Sequence, residues 1–579
     1  MRKIQIIFFS GILLISVNGR SQGFLRSENK RIVNDHGEIL LRGIGLGGWV
    51  LQEPYMLQLS GIAGTQTEIR AKITEAVGET QARVFYDHWI ANGVTKRDID
   101  SLAAWGFNSL RFPMHYNLFT LPIEQEPVQG ENTWLEKGFA VTDSLLSWCK
   151  ANSIYLMLDL HAAPGGQGND IAISDASSVR LWQSGEHKYK MIALWRKIAE
   201  RYADESWIGA YDIINEPNYG FQNNDDTNGC EEKLNAPLRQ LMVDITDAIR
   251  TVDKKHLIVI SGNCWGNNYD GIFPLWDDRL VVSFHKYWNY NTKESIEKFL
   301  QIRDRYGVAL WMSESGENSN VWHNDAIRLL EKNHIGWSWW NFKKAGLNCP
   351  MEIKLPDGYE ELKNYWKNGE VKPSTEKSGQ IMMQLAENYK IENTVIHKDY
   401  LDALFRQVIT DEVIPFRSHV ARKEEPLTVY AVDYDMGRSG FAFHDNDSAN
   451  YRTETKVSVS GNRGMKYRND AVDITDCNDV VTNGYCVYHT EPGEWMQYTV
   501  QMENEGNYEI KTRIAAGEKA GAFHFTINGI PADKIPVQQN ASDSWTDVNL
   551  KNVFLKEGEN IIRFYIDEGG FKVNYFQMQ

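Results

Sequence analysis

Two glutamates are the residues of this sequence best placed to do chemistry. Asn215-Glu216-Pro217 closes one apolar run, and Trp311-Met312-Ser313-Glu314-Ser315-Gly316 ends another. Further runs end in Arg111, in His161 and in His285-Lys286-Tyr287, and the last ends in Trp337, Trp339 and Trp340. Charges at the ends of buried strands are costly unless they are paired or functional. A single such glutamate is more often a salt-bridge partner. Two of them, among Arg, His, Asn, Tyr and Trp, shift the reading to catalysis. Paired carboxylates in unlike environments are what cleavage of a glycosidic bond needs. One holds a proton for the leaving oxygen, and the other stays ionised to attack the anomeric carbon. Glu317 lies one turn further into the loop and reads as structural.

The elements that must position these residues are eight short apolar runs. They are Ile39–Val50, Asn108–Tyr116, Ile154–Ala162, Ile208–Pro217, His256–Cys264, Leu280–Tyr287, Gly307–Gly316 and Gly336–Lys343. Continuous apolarity marks parallel strands covered on both faces, and the gaps have room for helices. Thr95-Lys96-Arg97-Asp98 has the form of a capping box, Ile99 and Leu102 follow at helical spacing, and Gly106 stops the helix. Eight strand–helix units predict an α/β fold, a (β/α)8 TIM barrel with its chemistry at the C-terminal ends of the strands. A doubly wound sheet is the structural alternative. In a barrel, strands four and seven face each other, so Glu216 and Glu314 are expected about 5–5.5 Å apart, the retaining geometry. Gly43, Gly45 and Gly48 also fit the dinucleotide fingerprint. That motif must open a helix at once, whereas Trp49 to Pro54 follows here, so the cofactor reading fails.

Beyond about residue 395 the texture changes. Arg417 to Pro426 is polar and charged. After it Tyr508, Ile510, Thr512 and Ile514 alternate with polar residues, and Phe523, Phe525 and Ile527 run into the turn pair Asn528-Gly529. The expected organisation is a signal peptide over 1–21, a barrel over 26–395, a connector over 396–427 and an all-β sandwich over 428–579.

Composition narrows the partners. Lys+Arg 61 against Asp+Glu 77 gives a net charge of −16, which excludes a nucleic-acid ligand, and the 42% hydrophobic content excludes a disordered chain. Met1-Arg2-Lys3 followed by Ile4 to Val17 is a charged n-region with an apolar stretch too short to span a bilayer. An exported monomer without a transmembrane segment is expected. The six cysteines are no disulfide framework; only Cys477 and Cys486 are close in sequence, which leaves a bridge between them open. Neither CxxC nor HExxH occurs, so no metal site is expected in the barrel, and no cofactor is required. Asp445-Asn446-Asp447 reads as a solvated turn.

Over residues 35–390 these motifs resemble glycoside hydrolase family 5. The resemblance implies Glu216 as general acid/base and Glu314 as nucleophile. It implies Asn215 at the sugar 2-hydroxyl, Arg111 pairing with Glu314, and His161, His285 and Tyr287 around the cleaved sugar. Trp340 is its expected platform, with Trp337 and Trp339 packing. Arg42-Gly43-Ile44-Gly45-Leu46-Gly47-Gly48-Trp49, Glu53-Pro54 and Asp159 to Gln167 are similar to the exo-β-1,3-glucanase subgroup, with Gly45 where that subgroup has Asn. This makes Glu53 a substrate ligand and β-1,3-glucan the favoured polysaccharide. Activity on β-1,4- or β-1,6-glucan or on mannan stays open, as does a non-catalytic sugar-binding protein. The C-terminal region resembles carbohydrate-binding module family 6 through Ala431 to Asp435, Phe443 to Asp447, Ala471 to Ile474 and Gly493-Glu494-Trp495. That implies sugar contacts at Tyr485, Trp545 and Asn574. It also implies a structural calcium, weakened by Val432 where the family has Glu.

Overall fold

The structure, a computed structural model, describes residues 22–579 apart from 224, 423–424, 448–462, 464–465, 518 and 540–543. The expected signal peptide over 1–21 lies outside the described residues. Eight parallel strands close a barrel: β1 (Arg42–Gly45), β2 (Ser109–His115), β3 (Tyr155–Ala162), β4 (Ile208–Asp212), β5 (Leu257–Ile260), β6 (Leu280–His285), β7 (Ala309–Gly316) and β8 (Gly336–Trp340). Each falls inside one of the eight apolar runs, and β8 pairs with β1 to complete the ring. Every barrel-strand residue is buried except Arg42, which fits continuous rather than alternating apolarity. The capping box forms: Thr95 N–H donates to Asp98 Oδ2 at 2.8 Å, helix Lys96–Trp105 follows, and Gly106 ends it at φ 109°.

Two local departures from regular strand geometry aim the glutamates. In β7 the pairing with β6 steps from Met312–Phe284 to Glu314–His285, so Ser313 is an extra residue and Glu314 turns into the barrel mouth. Glu216 stands just past β4 at φ 44°, a left-handed conformation that a non-glycine residue holds only when its surroundings impose it. Asn218 supplies part of that constraint by donating to the Glu216 carbonyl at 2.9 Å.

The barrel extends further along the chain than its sequence suggests. Helix Lys398–Leu404 lies in the stretch expected to be connector, yet Tyr400 and Leu404 belong to the barrel core. The C-terminal region has two antiparallel-rich sheets enclosing a second core. One is built on Trp495–Met502, Gly558–Glu568 and Gly521–Ile527, the other on Gly506–Ala516, Trp545–Leu555 and Phe571–Met578. Cys477 and Cys486 do not form a disulfide, whereas Cys230 and Cys264 form one that the sequence did not suggest. Those two cysteines are 34 residues apart, and only the fold brings their loops together. Asp445 also departs from the solvated turn expected of it: it is buried and accepts a bond from Asp447 N–H at 2.9 Å. Among the described residues no helix is long and apolar enough to cross a membrane.

Candidate active site

Arg111 of β2 organises the floor of the barrel mouth. Its guanidinium meets Asp212 at 2.9 Å, Asp159 at 3.1 Å and Glu314 at 2.6 Å, and donates to Asn215 Oδ1 at 2.7 Å. Burial opposes its charge, but the three carboxylates hold it firmly protonated. Asp159 and Asp212 are each pushed up to about 7 by burial, with Arg111 pulling back. Neither aspartate emerged from the sequence as a site residue. Their signal was the inward side of a buried strand, where a carboxylate needs a partner.

Glu216 and Glu314 face one another, with one carboxylate oxygen of each and a nitrogen of His285 all within 4.8 Å. Their environments differ. Glu314 receives Arg111 on Oε2 and the Tyr287 hydroxyl on Oε1 at 2.8 Å, so both oxygens are held as an anion. Burial still raises the Glu314 pKa against the pull of His285 and Arg111. Glu216 is bonded by neutral His285 rather than by a cation, and Arg111 acts on it only from a distance. Burial pushes it up to about 8, and the charges of Asp170, Asp159 and Glu317 add to that. One proton shared by this pair therefore rests on Glu216. His285, kept neutral by burial, lies 2.6 Å from Glu216 through Nδ1 and 3.1 Å from Ser313 Oγ through Nε2. A protonated Glu216 can donate to Nδ1 while Nε2–H donates to the serine.

A second chain of bonds fixes the polar groups around Asn215 and His161. Because Asn215 Oδ1 accepts from Arg111, its amide nitrogen faces His161 Nε2 at 3.1 Å. His161 Nδ1 is 2.8 Å from Asp159, and burial lowers the imidazole to about 3, so the ring is neutral with its proton on Nδ1. Asn215 keeps one amide hydrogen for a ligand. Glu53 Oε1 lies 4.0 Å from His161 and, though buried, makes no hydrogen bond. Trp340 stacks on His161 with centroids 4.9 Å apart and planes 1° from parallel, and its indole N–H donates to the Tyr55 hydroxyl at 2.9 Å. A Cβ at Gly45 or Gly47 would come within 2.6 Å of that indole. Gly45 of the false dinucleotide fingerprint, with Gly47, thus makes room for Trp340, and the same contact explains why Gly45 cannot be Asn here. Trp337 and Trp339 are fully buried packing residues.

On the Glu216 side, Trp265 donates its backbone N–H to the Pro217 carbonyl at 3.1 Å and its indole N–H to Asp170 at 3.3 Å. Trp265, Asp170 and Tyr55 were not singled out from sequence. Asp170 stands on a loop, and Tyr55 and Trp265 on short helical turns, Pro54–Leu57 and Asn263–Gly266, whose placement depends on the fold. Glu317, read as structural, joins the pocket wall by bonding Tyr55.

The β-module residues stand apart from this pocket. Tyr485 packs against Tyr467 with centroids 5.0 Å apart, and Trp545 donates to Asn478 at 2.9 Å. Asn574 is fully buried, with its amide donating to Asp479 and to the Val481 carbonyl, so it braces a loop rather than facing solvent.

Comparison with known proteins agrees with this geometry. Residues 71–346 match the family model described as Cellulase (glycosyl hydrolase family 5), and residues 468–578 match Carbohydrate binding module (family 35). The second match corrects the expected family 6 assignment to a family 35 type. The chain is similar to a β-xylosidase of Phanerodontia chrysosporium, 25% identical over 379 residues, 58% of this chain and 75% of the relative. It is similar to Endoglucanase C of Acetivibrio thermocellus, 25% identical over 343 residues, 48% of this chain and 93% of the relative. A probable glucan 1,3-beta-glucosidase A of Aspergillus clavatus is 30% identical over 197 residues, 34% of this chain and 45% of the relative. The protein is a glycoside hydrolase.

Proposed function

We propose that this glycoside hydrolase acts by the retaining route on terminal β-linked glucosyl units of an extracellular glucan, with β-1,3 linkages preferred. The observation that carries the reading is that two buried glutamates bring carboxylate oxygens within 4.8 Å of one another, with Arg111 and Tyr287 bonding only Glu314. Their separation is well below the roughly 6.5–9.5 Å that an inverting enzyme keeps open for water. Glu314 attacks the anomeric carbon while Glu216 gives its proton to the leaving oxygen. The shortened glucan chain departs with that proton, and the terminal sugar remains as a glucosyl ester on Glu314. Glu216, now a carboxylate, takes a proton from water, which displaces Glu314 and releases glucose with its configuration retained. Positive charge grows on the sugar ring in both steps. The carboxylates around Arg111 stabilise that charge.

Specificity for a chain end is supported by the pocket wall. Glu53 Oε1 lacks a partner, Trp340 is only 3% exposed, and Tyr55 braces that indole. An unpaired buried carboxylate oxygen favours a ligand that brings hydroxyl donors to it, as a terminal sugar does. The β-1,3 preference rests on the likeness of residues 42–54 and 159–167 to the exo-glucanase motifs. No cofactor takes part in this scheme.

Chromatography of products from laminarin, cellulose, pustulan and mannan tests the reading, with Glu314→Gln beside the unaltered protein. Glucose released from laminarin by the unaltered protein, and a loss of at least about 10³-fold in the variant, are expected. Equal activity of the two proteins would remove Glu314 from the mechanism. Release of longer oligosaccharides first would overturn the chain-end reading.

A further inference from the structure

The loop that leaves the nucleophile strand is held from outside the barrel. It runs from Gly316, the last residue of β7, to the helix Asn320–Lys332. Asn320 N–H donates to the Asn469 carbonyl at 2.8 Å, and the Asn469 amide donates back to the Asn318 carbonyl at 2.8 Å and to Asn320 Oδ1 at 3.1 Å. The Asn320 amide donates to Asp399 at 2.8 Å and to Asp470 at 3.1 Å, and Asn469 N–H also reaches Asp399 at 3.2 Å. Arg468 pairs with Asp470 at 2.6 Å. All of these residues are at least 96% buried. Residues 468–470 belong to the β-module, whereas 318, 320 and 399 belong to the barrel, so this is a dry polar junction between the two.

The inner side of the same loop is a wall of the sugar pocket. The Glu317 carbonyl accepts from the Trp288 indole at 3.1 Å, and its side chain bonds the Tyr55 hydroxyl that receives Trp340. Glu317 itself sits at φ 55°, a left-handed backbone that its surroundings must impose. A module that served only to tether the enzyme to polysaccharide would need a mobile linker and few contacts with the barrel. Here the Asn469 amide has both of its acceptors across the junction and would be left unsatisfied without them.

We infer that the module is a structural wall of the catalytic unit, and that Asn469 is a positioning residue which holds Glu317, and through it Tyr55 and Trp340, against the bound sugar. The inference rests on the proposed reading of that pocket as a glucosyl site. It predicts that the module governs the KM of substrates too small to touch it.

The test uses the full chain with Asn469→Ala and a chromogenic β-glucoside, together with hydrogen exchange of the peptide spanning residues 317–322. KM is expected to rise about tenfold with a smaller change in kcat, and exchange of that peptide to quicken by about tenfold while the strands stay protected. A merely structural defect would lower the active fraction, reducing kcat and leaving KM alone. Asn469→Ser keeps one donor, so it is expected to fall between the two proteins and serves if the alanine variant folds poorly. Unchanged KM overturns the inference, whether or not exchange quickens. If the unaltered protein cleaves no β-glucoside, the proposed function fails instead. Unchanged exchange in the variant then overturns the clamp independently.

Discussion

Asp170 touches neither catalytic oxygen in this structure, yet it sits where it can set the working pH. After burial, its charge is the largest influence raising the proton affinity of Glu216. Glu216 must be protonated to act as the acid, so kcat/KM falls as pH rises through its pKa, about 8. Asp170→Asn removes a negative neighbour, makes the Glu216 carboxylate easier to form and moves the alkaline limb to lower pH. A pH profile of kcat/KM on a chromogenic β-glucoside checks this, and a limb that stays put or moves upward would remove Asp170 from the acid's environment. The opposite arrangement at Glu314, where Arg111 and Tyr287 bond both oxygens, is what lets two buried carboxylates take different roles a few ångströms apart.

At the scale of elements, the turn carrying Trp265 is the least relaxed part of the site. Cys264 and Trp265 are consecutive left-handed residues, at φ 53° and 54°, and each costs about 1–3 kcal/mol in isolation. The Cys230–Cys264 bridge ties this turn to the loop after β4, and Asn263 adds bonds to Tyr219 and Asn235. The paired Cys230→Ser and Cys264→Ser variant is expected to lose about 2–4 kcal/mol in a urea titration. Its alkaline limb should also shift downward, because Asp170 loses the indole that orients it. Lost stability with an unmoved pH profile would show that hydrogen bonds alone hold the turn.

This turn also marks the limit of what the sequence disclosed. The eight strands were legible because buried parallel strands leave continuous apolar runs, and Glu216, Glu314 and Arg111 stood out as charges at their ends. The disulfide, Trp265 and Asp170 were not legible. Each depends on loops that approach one another only after the barrel closes. Asn469 was invisible for the same reason, since its partners lie about 150 residues earlier in the chain.

For the whole molecule, the net charge of −16 becomes informative once it is set beside the geometry of the site. The barrel mouth gathers Glu53, Asp159, Asp212, Glu216 and Glu314 around one arginine, all of them buried. Surface charge is screened over about 10 Å at 0.1 M salt, but a buried cluster is screened far less. A neutral glucan brings no charge for either field to act on. Its kcat/KM is therefore expected to change less than about twofold between 50 mM and 500 mM salt. A carboxylated glucan of the same linkage must approach an acidic surface and then an acidic pocket. Its kcat/KM should start lower and rise with salt, since screening removes only the surface part of the repulsion. The two substrates compared across one salt series provide the measurement. A neutral glucan whose turnover fell steeply with salt would mean that charge steers it, contrary to a site built on hydroxyl contacts and an indole face.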